Sequence, residues 1–218
     1  MLLFATAALA AVPYWRDPRI HNMGNVGVMG GLHAAIAPLA TRIIDVAAYG
    51  GEDVRQVARQ RAMDTKDLDS GVVVLDLCCG VGSSTPAGGT GVDASLQMIA
   101  MAELRHRARS STYHVGNAET WGSPASVSIV QVMFALHEMP RHGRHAVLDN
   151  AVRVAQDCAL VLDIDPSYAA SSMMRMGEPF LDDYLCHIEE DISHIATKRG
   201  CGVTTWNVAP TLRCWLIE

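Results

Sequence analysis

The feature that most constrains the fold is the apolar run VVVLDL at residues 72–77, which the glycine-rich turn CCGVG follows at once. A continuous apolar run of this length is typical of a strand buried on both faces, as in a parallel sheet. Gly80 and Gly82 let the backbone turn tightly beside a ligand, because glycine adopts conformations that side chains exclude. The run therefore predicts an α/β sheet with a ligand site at the carboxyl end of this strand.

Strand and helix patterns alternate after that run. Strands are predicted at 91–93, 113–115, 127–134, 159–164, 203–208 and 212–217, and helices at 95–109, around 147–155 and at about 181–199. The last two strands are joined by a turn so short that they must be antiparallel. We predict a doubly wound, Rossmann-like α/β sheet, mostly parallel with a C-terminal antiparallel hairpin, over residues 71–218.

Residues 1–70 are predicted to form an N-terminal cap of helices and loops. Apolar residues from Leu32 to Ala47 recur at three- and four-residue spacing, which indicates one apolar helix face. Pro38 interrupts this pattern, so the helix either begins near Pro38 or kinks there. The glycines that precede it, up to Gly31, predict a loop, and a second short helix is expected at 53–63.

Composition narrows the partners and the compartment. The formal net charge is −6, and the sequence has no basic cluster of the kind that duplex binding requires, so we expect no nucleic-acid partner. Six cysteines without a C-x-x-C pair indicate free thiols in the cytoplasm. The apolar residues 2–12 are either a targeting remnant or an N-terminal helix or arm. They are too short to span a bilayer, so we expect no stable membrane insertion, and a monomer or homodimer.

Three more predicted strand ends carry polar residues. Asp93 ends the second strand, where a carboxylate accepts hydrogen bonds from ribose hydroxyls. A polar turn at 116–119, suited to an adenine edge, follows the third strand. His137 and Glu138 follow the fourth, so an imidazole and a carboxylate arrive together. Because the carboxyl ends of parallel strands meet at one edge of the sheet, these groups are expected to share one cleft.

These motifs, in this order, resemble those of class I S-adenosylmethionine (SAM)-dependent methyltransferases, and are similar in type to the small-molecule enzymes of ubiquinone and menaquinone biosynthesis. The resemblance covers about residues 71–218 and implies SAM as cofactor and a small-molecule acceptor. It implies that Asp76, Gly80 and Gly82 line the methionine part of SAM, that Asp93 holds the ribose, and that Met98 and the 117–119 turn flank the adenine. The cofactor-binding residues so predicted are Asp76, Cys78, Gly80, Gly82, Asp93, Ala94, Met98, Asn117, Ala118, Glu119 and Phe134.

Methyl transfer is an in-line displacement, and an acceptor with an acidic proton also needs a base. His137 is the first candidate for that base, with Glu138 orienting it or binding the acceptor, and His21 or His33 entering the site from the cap. We predict no metal site, because no group of histidines has a recognised ligand spacing.

Two alternatives remain open on the sequence. A nicotinamide-dependent oxidoreductase uses the same sheet and the same ribose-binding acid, although Thr85 stands where the third fingerprint glycine belongs. The second alternative is a non-catalytic relative that keeps the fold as an interaction module. It is favoured by the short interval from Gly80 to Asp93, 13 positions instead of the usual spacing of about 20, which predicts a first crossover helix shortened to about a turn.

Overall fold

The computed structural model describes residues 13–69 and 71–218, which contain one seven-stranded sheet. Its strands are β1 (Val74–Leu77), β2 (Thr90–Asp93), β3 (Thr112–Val115), β4 (Val127–Met133), β5 (Ala155–Ile164), β6 (Val203–Ala209) and β7 (Leu212–Ile217). Their order is β3-β2-β1-β4-β5-β7-β6, and all neighbours are parallel except those of β7. The predicted Rossmann-like sheet with a C-terminal antiparallel hairpin is confirmed.

The helices of the described residues surround this sheet. They are α1 (Gly27–Tyr49), α2 (Val54–Thr65), α3 (Leu96–Arg105), α4 (Arg141–Val154), α5 (Ser172–Gly177) and α6 (Leu181–Arg199), with single 3₁₀ turns at Tyr14–Arg16, Ile20–Asn22 and Leu136–Glu138. Side chains alternate between the two faces of each strand. Leu75 and Leu77 therefore pack in the core with α4 and α6, whereas Val74 packs with α2 on the other face.

The strand order places β1 at a topological switch point. β1 pairs with β2 on one side and with β4 on the other, so consecutive strands diverge from it in opposite directions. In open α/β sheets such a divergence leaves a crevice at the carboxyl ends of the strands, where ligands bind. The turn after Leu77 faces this crevice.

The N-terminal helix differs from its prediction. α1 begins at Gly27 and continues through Pro38, so a helix start near Pro38 and a loop over Gly27 to Gly31 were both wrong. Gly30 serves a close approach instead, because a Cβ there would lie 2.5 Å from the carbonyl carbon of Asn25. Glycine content alone does not separate these two uses of the residue.

Much of the apolar surface of α1 is exposed, although its spacing resembles that of a core helix. Leu39 is 63% exposed and Ile43 is 58% exposed. Among the described residues, α1 is also the one helix long and apolar enough, by length and composition alone, to cross a membrane. On its inner side, Ala34 packs with Val81 and Met98 against the body of the protein.

The first crossover is shorter than predicted. Residues 78–89, which connect β1 to β2, contain turns and bends but no helical turn. The usual crossover helix is therefore missing from this part of the structure, and other elements must hold the turn after β1.

Candidate active site

A cavity of about 650 Å³ opens at the carboxyl ends of β1, β2 and β4, and the cap residues of α1 and the N-terminal segment close its other side. All four predicted catalytic residues line it, namely His21, His33, His137 and Glu138. So do eight of the predicted cofactor-binding residues, namely Cys78, Gly80, Asp93, Ala94, Met98, Asn117, Ala118 and Phe134. The strand-end residues do share one cleft.

Three predicted ligand contacts, Asp76, Gly82 and Glu119, lie behind the wall instead. Asp76 is fully buried, and its Oδ2 accepts hydrogen bonds from Ser84 Oγ (2.8 Å) and Thr85 Oγ1 (2.6 Å). A Cβ on Gly82 would lie 2.8 Å from the Tyr113 hydroxyl, so this glycine packs against β3.

Glu119 is not among the lining residues either; its Oε1 accepts a 2.9 Å hydrogen bond from the hydroxyl of Tyr14, which does line the cavity. Contact of these three residues with the methionine or adenine part of SAM stays a prediction. They brace the wall that other residues form.

Asp93 joins the ends of β1 and β2. Its Oδ2 accepts a hydrogen bond from the Gly80 amide (2.9 Å), and its Oδ1 accepts one from the Ser95 amide (2.8 Å). Each carboxylate oxygen has about two acceptor sites, so each retains one, and Asp93 lines the cavity. Burial raises the pKa of Asp93 to about 6, against the lowering effect of the two amides.

Backbone conformation at the two central strand ends is unusual. Cys78 and Phe134, which follow β1 and β4, have φ values of 60° and 55°, a left-handed region that non-glycine residues rarely adopt. Both residues line the cavity. Strained backbone of this kind clusters at functional sites, where the surrounding structure enforces it.

Helix α2 holds the turn after β1 in place of a crossover helix. Arg59 Nη1 donates to the Ser84 carbonyl (3.0 Å) and to Gln131 Oε1 (3.1 Å). Gln131 Nε2 donates to the same Ser84 carbonyl (2.9 Å), and Asp76 accepts from the Ser84 hydroxyl. The turn is thus fixed by side chains from α2, β1 and β4.

We expect Arg59→Met to lower the free energy of unfolding by about 1–3 kcal/mol, because it leaves the buried Gln131 Oε1 without its donor. Urea denaturation measures the loss. Arg61→Met in the same helix is the control. Arg61 is exposed over the Trp206 ring, a contact worth about 0.5–1 kcal/mol. An Arg59→Met loss no greater than that of the control contradicts a bracing role.

His21 lies between two carboxylates. Its Nε2 is 2.8 Å from Glu138 Oε1 and its Nδ1 is 2.6 Å from Glu178 Oε1. Burial lowers the pKa of His21, but the two carboxylates outweigh burial and raise it to about 11. The same contact, against the effect of burial, lowers the pKa of Glu138 to about 2. At neutral pH His21 is an imidazolium with both nitrogens donating, so it has no lone pair to act as a base.

His33 is neutral beside it. The two rings lie 4.7 Å apart, and burial, followed by the charge of His21, lowers the pKa of His33. Its Nδ1 is 3.2 Å from the Gly24 carbonyl oxygen, which can only accept, so we assign the proton to Nδ1. Nε2 of His33 then carries the lone pair.

His137 forms a dyad with Asp163. Its Nδ1 is 2.7 Å from Asp163 Oδ1, and the Asp163 carboxylate also accepts from the amides of Leu136 (2.9 Å) and Ile164 (2.8 Å). Burial lowers the pKa of His137, but Asp163 outweighs burial and raises it to about 9. Within the described residues no hydrogen bond uses Nε2, which leaves that nitrogen for a ligand. The histidine is therefore oriented as a catalytic imidazole is, by a carboxylate on its other nitrogen.

Sequence reasoning missed Tyr14, Arg55 and Glu178, which also line the cavity. Arg55 stacks over the Phe134 ring, with 4.7 Å from Cζ to the ring centroid. Glu178 lies between α5 and α6, in a segment without a motif. No local signal identified any of the three, because each reaches the cavity through tertiary packing alone.

Comparison with known proteins follows this geometry. Residues 74–157 match the family described as a methyltransferase domain. This match covers about two fifths of the chain. No curated protein sequence matches the chain.

Solved structures agree with the domain at the level of fold. Magnesium protoporphyrin IX methyltransferase from Synechocystis, solved with bound S-adenosylhomocysteine, is 16% identical with a TM-score of 0.56, over 75% of this chain and 82% of that one. A SAM-dependent methyltransferase from Aquifex aeolicus is 14% identical with a TM-score of 0.55, over 76% and 93%. Plantazolicin methyltransferase is 14% identical with a TM-score of 0.56, over 76% and 84%. The methyltransferase domain thus has the class I SAM-dependent methyltransferase fold.

The matched region includes the ends of β1, β2, β3 and β4, and with them half of the residues that line the cavity. His21, His33 and Glu178 lie outside it. The strand-end residues are therefore part of the domain, whereas the imidazolium between two carboxylates is completed by elements added to it.

Proposed function

We propose that this methyltransferase domain transfers a methyl group from SAM to a small, apolar acceptor. The observation that carries the proposal is the position of Asp93 in the cavity, 2.9 Å from the Gly80 amide, with an unused acceptor site on each oxygen. That arrangement suits the two hydroxyls of a ribose. Asn117 and Ala118 line the next part of the wall and are suited to an adenine edge.

The charges around the cavity favour a cation. Asp93, Glu138 and Glu178 line it. The His21 imidazolium neutralises one of these carboxylates, and the protonated His137 is paired with Asp163 behind the wall. SAM supplies an electrophilic methyl group on a sulfonium cation, which a partly buried anionic wall stabilises. Alignment of the acceptor with that methyl group is the main catalytic task of the protein.

Apolar side chains form the remaining wall, which supports an apolar acceptor. They come from α1, from the ends of β4 and β5, from the residue after the 3₁₀ turn at Leu136–Glu138 and from α5, and include Ile36, Ile44, Met133, Met139, Ile164 and Met174. Magnesium protoporphyrin IX and plantazolicin, named for two structural neighbours, are likewise small-molecule acceptors. We place the reaction in the cytoplasm, in agreement with six free cysteines, and expect a monomer or homodimer.

His137 is the base that we propose for an acceptor with an acidic proton. With a pKa of about 9 the ring is mostly protonated at neutral pH, so the neutral form that acts as base increases toward pH 9. Its pKa approaches that of a phenolic hydroxyl, about 10, so proton transfer between the two is nearly balanced. Asp163 orients the ring and stabilises its cationic form. Glu138 and His21, which form an ion pair, line the cavity and contribute to its charge.

Asp93→Asn tests the SAM assignment. We expect about a 10- to 100-fold weaker SAM affinity at pH 7.5, the value of a hydrogen bond to a charged group. Wild-type affinity should also rise between pH 5 and pH 7, because Asp93 loses its proton near pH 6 and only the carboxylate accepts from both hydroxyls. Glu138, His137 and His21 keep their charges over this range, whereas His33, whose pKa burial lowers, can lose a proton in it. The part of the rise that is absent in Asp93→Asn is the part due to Asp93. Isothermal titration calorimetry measures both effects.

Asp157→Asn is the matched control, since Asp157 lies near the amino end of β5, at the opposite edge of the sheet. It should leave the SAM affinity and its pH dependence unchanged. Binding of a reduced nicotinamide dinucleotide in place of SAM would favour the oxidoreductase alternative. An Asp93→Asn protein that binds SAM like the wild type would remove the ribose assignment.

A further inference from the structure

Helix α1 carries an apolar stripe that the described residues leave exposed. Its members recur at three-, four- and seven-residue intervals along one side of the helix, and they are 49–90% exposed: Val28, Leu32, Leu39, Ile43 and Val46. Isolated exposed aliphatic residues are ordinary, but a contiguous stripe along almost a whole helix marks an interaction surface.

The stripe is free of charge. Of the 23 residues of α1, only Arg42 and Asp45 are charged, and neither belongs to the stripe. Asp45 is paired with Arg55 at 3.0 Å. A helix whose outer face meets only water normally carries charged or polar residues there.

The stripe is continuous with the wall of the cavity. Ile36 and Ile44 are 44% and 52% exposed, and both also line the cavity. Another part of the rim has the same character, because α5 exposes Met173 (73%) and Met176 (69%) while Met174 lines the cavity. Apolar surface therefore leads from outside the protein into the acceptor side of the site.

The residues that precede the described part of the chain are also apolar in sequence. Residues 1–12, MLLFATAALAAV, contain no charged side chain. This sequence leads through Pro13 to Tyr14, which lines the same cavity. Within the described residues, two apolar parts of the chain, α1 and α5, thus lie at one rim of the cavity.

We propose that the stripe of α1 docks on the surface of a lipid bilayer, so that the cavity receives its acceptor from the lipid phase. This deepens the proposed function and rests on it for the acceptor, which would be a membrane-dissolved molecule. The inner side of α1, at Gly30 and Ala34, is buried against the protein, so the helix lies on the bilayer and does not cross it. Binding is apolar in origin, because the stripe is uncharged and the net charge of −6 opposes attraction to anionic lipids.

Sedimentation with vesicles of pure phosphatidylcholine tests the proposal on the full chain. The protein should bind them, with an affinity that does not fall as salt is raised. Leu39→Glu with Ile43→Glu should weaken binding at least tenfold, since it places two charges in the stripe but none in the cavity wall. Leu104→Glu with Val203→Glu, at exposed apolar positions 52% and 39% accessible elsewhere, is the matched control and should bind like the wild type.

Calorimetric SAM titration of the same three proteins separates this proposal from the proposed function. SAM binding with no vesicle binding overturns the docking alone, whereas no SAM binding overturns the function. The docking is also overturned if the wild type is a dimer that does not bind vesicles and the stripe variant is a monomer. That result would assign the stripe to a second copy of the chain. Equal vesicle binding by the stripe and control variants overturns it as well.

Discussion

His137→Asn is expected to lower kcat by about 10²–10⁴-fold while SAM affinity stays within about twofold, the usual contribution of a positioned base. The reason is geometric. Nδ1 is held by Asp163 at 2.7 Å, so Nε2 is the nitrogen left for the acceptor. Asparagine keeps a polar group beside Asp163 but cannot take the proton. Single-turnover formation of S-adenosylhomocysteine, with a phenolic or enolic acceptor, measures the loss.

Asp163→Asn distinguishes a base from a merely structural histidine. The wild-type rate should rise with pH toward about pH 9, because only the neutral imidazole accepts a proton and Asp163 raises its pKa to about that value. In Asp163→Asn, the apparent pKa of this rise in rate should fall toward or below 6.5, the ordinary pKa of histidine. An apparent pKa that is the same in Asp163→Asn as in the wild type contradicts the role of the His137–Asp163 dyad. The base would instead be His33, whose pKa burial lowers, if the wild-type rate rose with an apparent pKa below 6.5 and this rise were absent in His33→Asn.

Arg144→Met is expected to lower the free energy of unfolding by about 3–5 kcal/mol, the cost of removing one partner of a buried ion pair. Arg144 and Asp191 are both fully buried and join α4 to α6 at 2.8 Å. Arg144 also donates to Asp183 (2.7 Å) and to the Met139 carbonyl (2.9 Å), directly after the turn that carries His137. Loss of the guanidinium leaves the buried Asp191 Oδ2 and the Met139 carbonyl without their donor, while Arg141 and His145 still pair with Asp191 Oδ1.

Urea denaturation at pH 7 measures this effect, and Arg199→Met is its control. Arg199 pairs with Asp149 at 2.7 Å in a partly exposed site, where removal costs about 0–1 kcal/mol. An Arg144→Met loss as small as that of the control would contradict a structural role for the α4–α6 network.

The sheet was predictable because buried parallel strands have a local sequence pattern. Strands buried on both faces appear as continuous apolar runs such as 72–77, and the strand ends then fall at one edge of the sheet. Asp93 and His137 were found by this rule. The same reasoning predicted the short first crossover, since the interval to Asp93 leaves too little chain for a full helix.

The remaining parts of the site depend on packing that no local pattern encodes. His21 meets Glu138 and Glu178 from positions far apart in the chain, so its charged state followed only from the structure. Asp76 lies in the expected motif, but its carboxylate accepts hydrogen bonds from Ser84 and Thr85 in the turn that stands in place of the crossover helix. The spacing of α1 indicated an apolar face without indicating whether protein, lipid or a second copy covers it.

A structure of the protein with bound S-adenosylhomocysteine tests the central claim most directly. We predict ribose hydroxyls within hydrogen-bond distance of both Asp93 oxygens, with the adenine beside Asn117 and the amino-acid part along Cys78 and Gly80. An adenosyl group bound elsewhere, or a cavity that stays free of it at saturating concentration, would contradict the account.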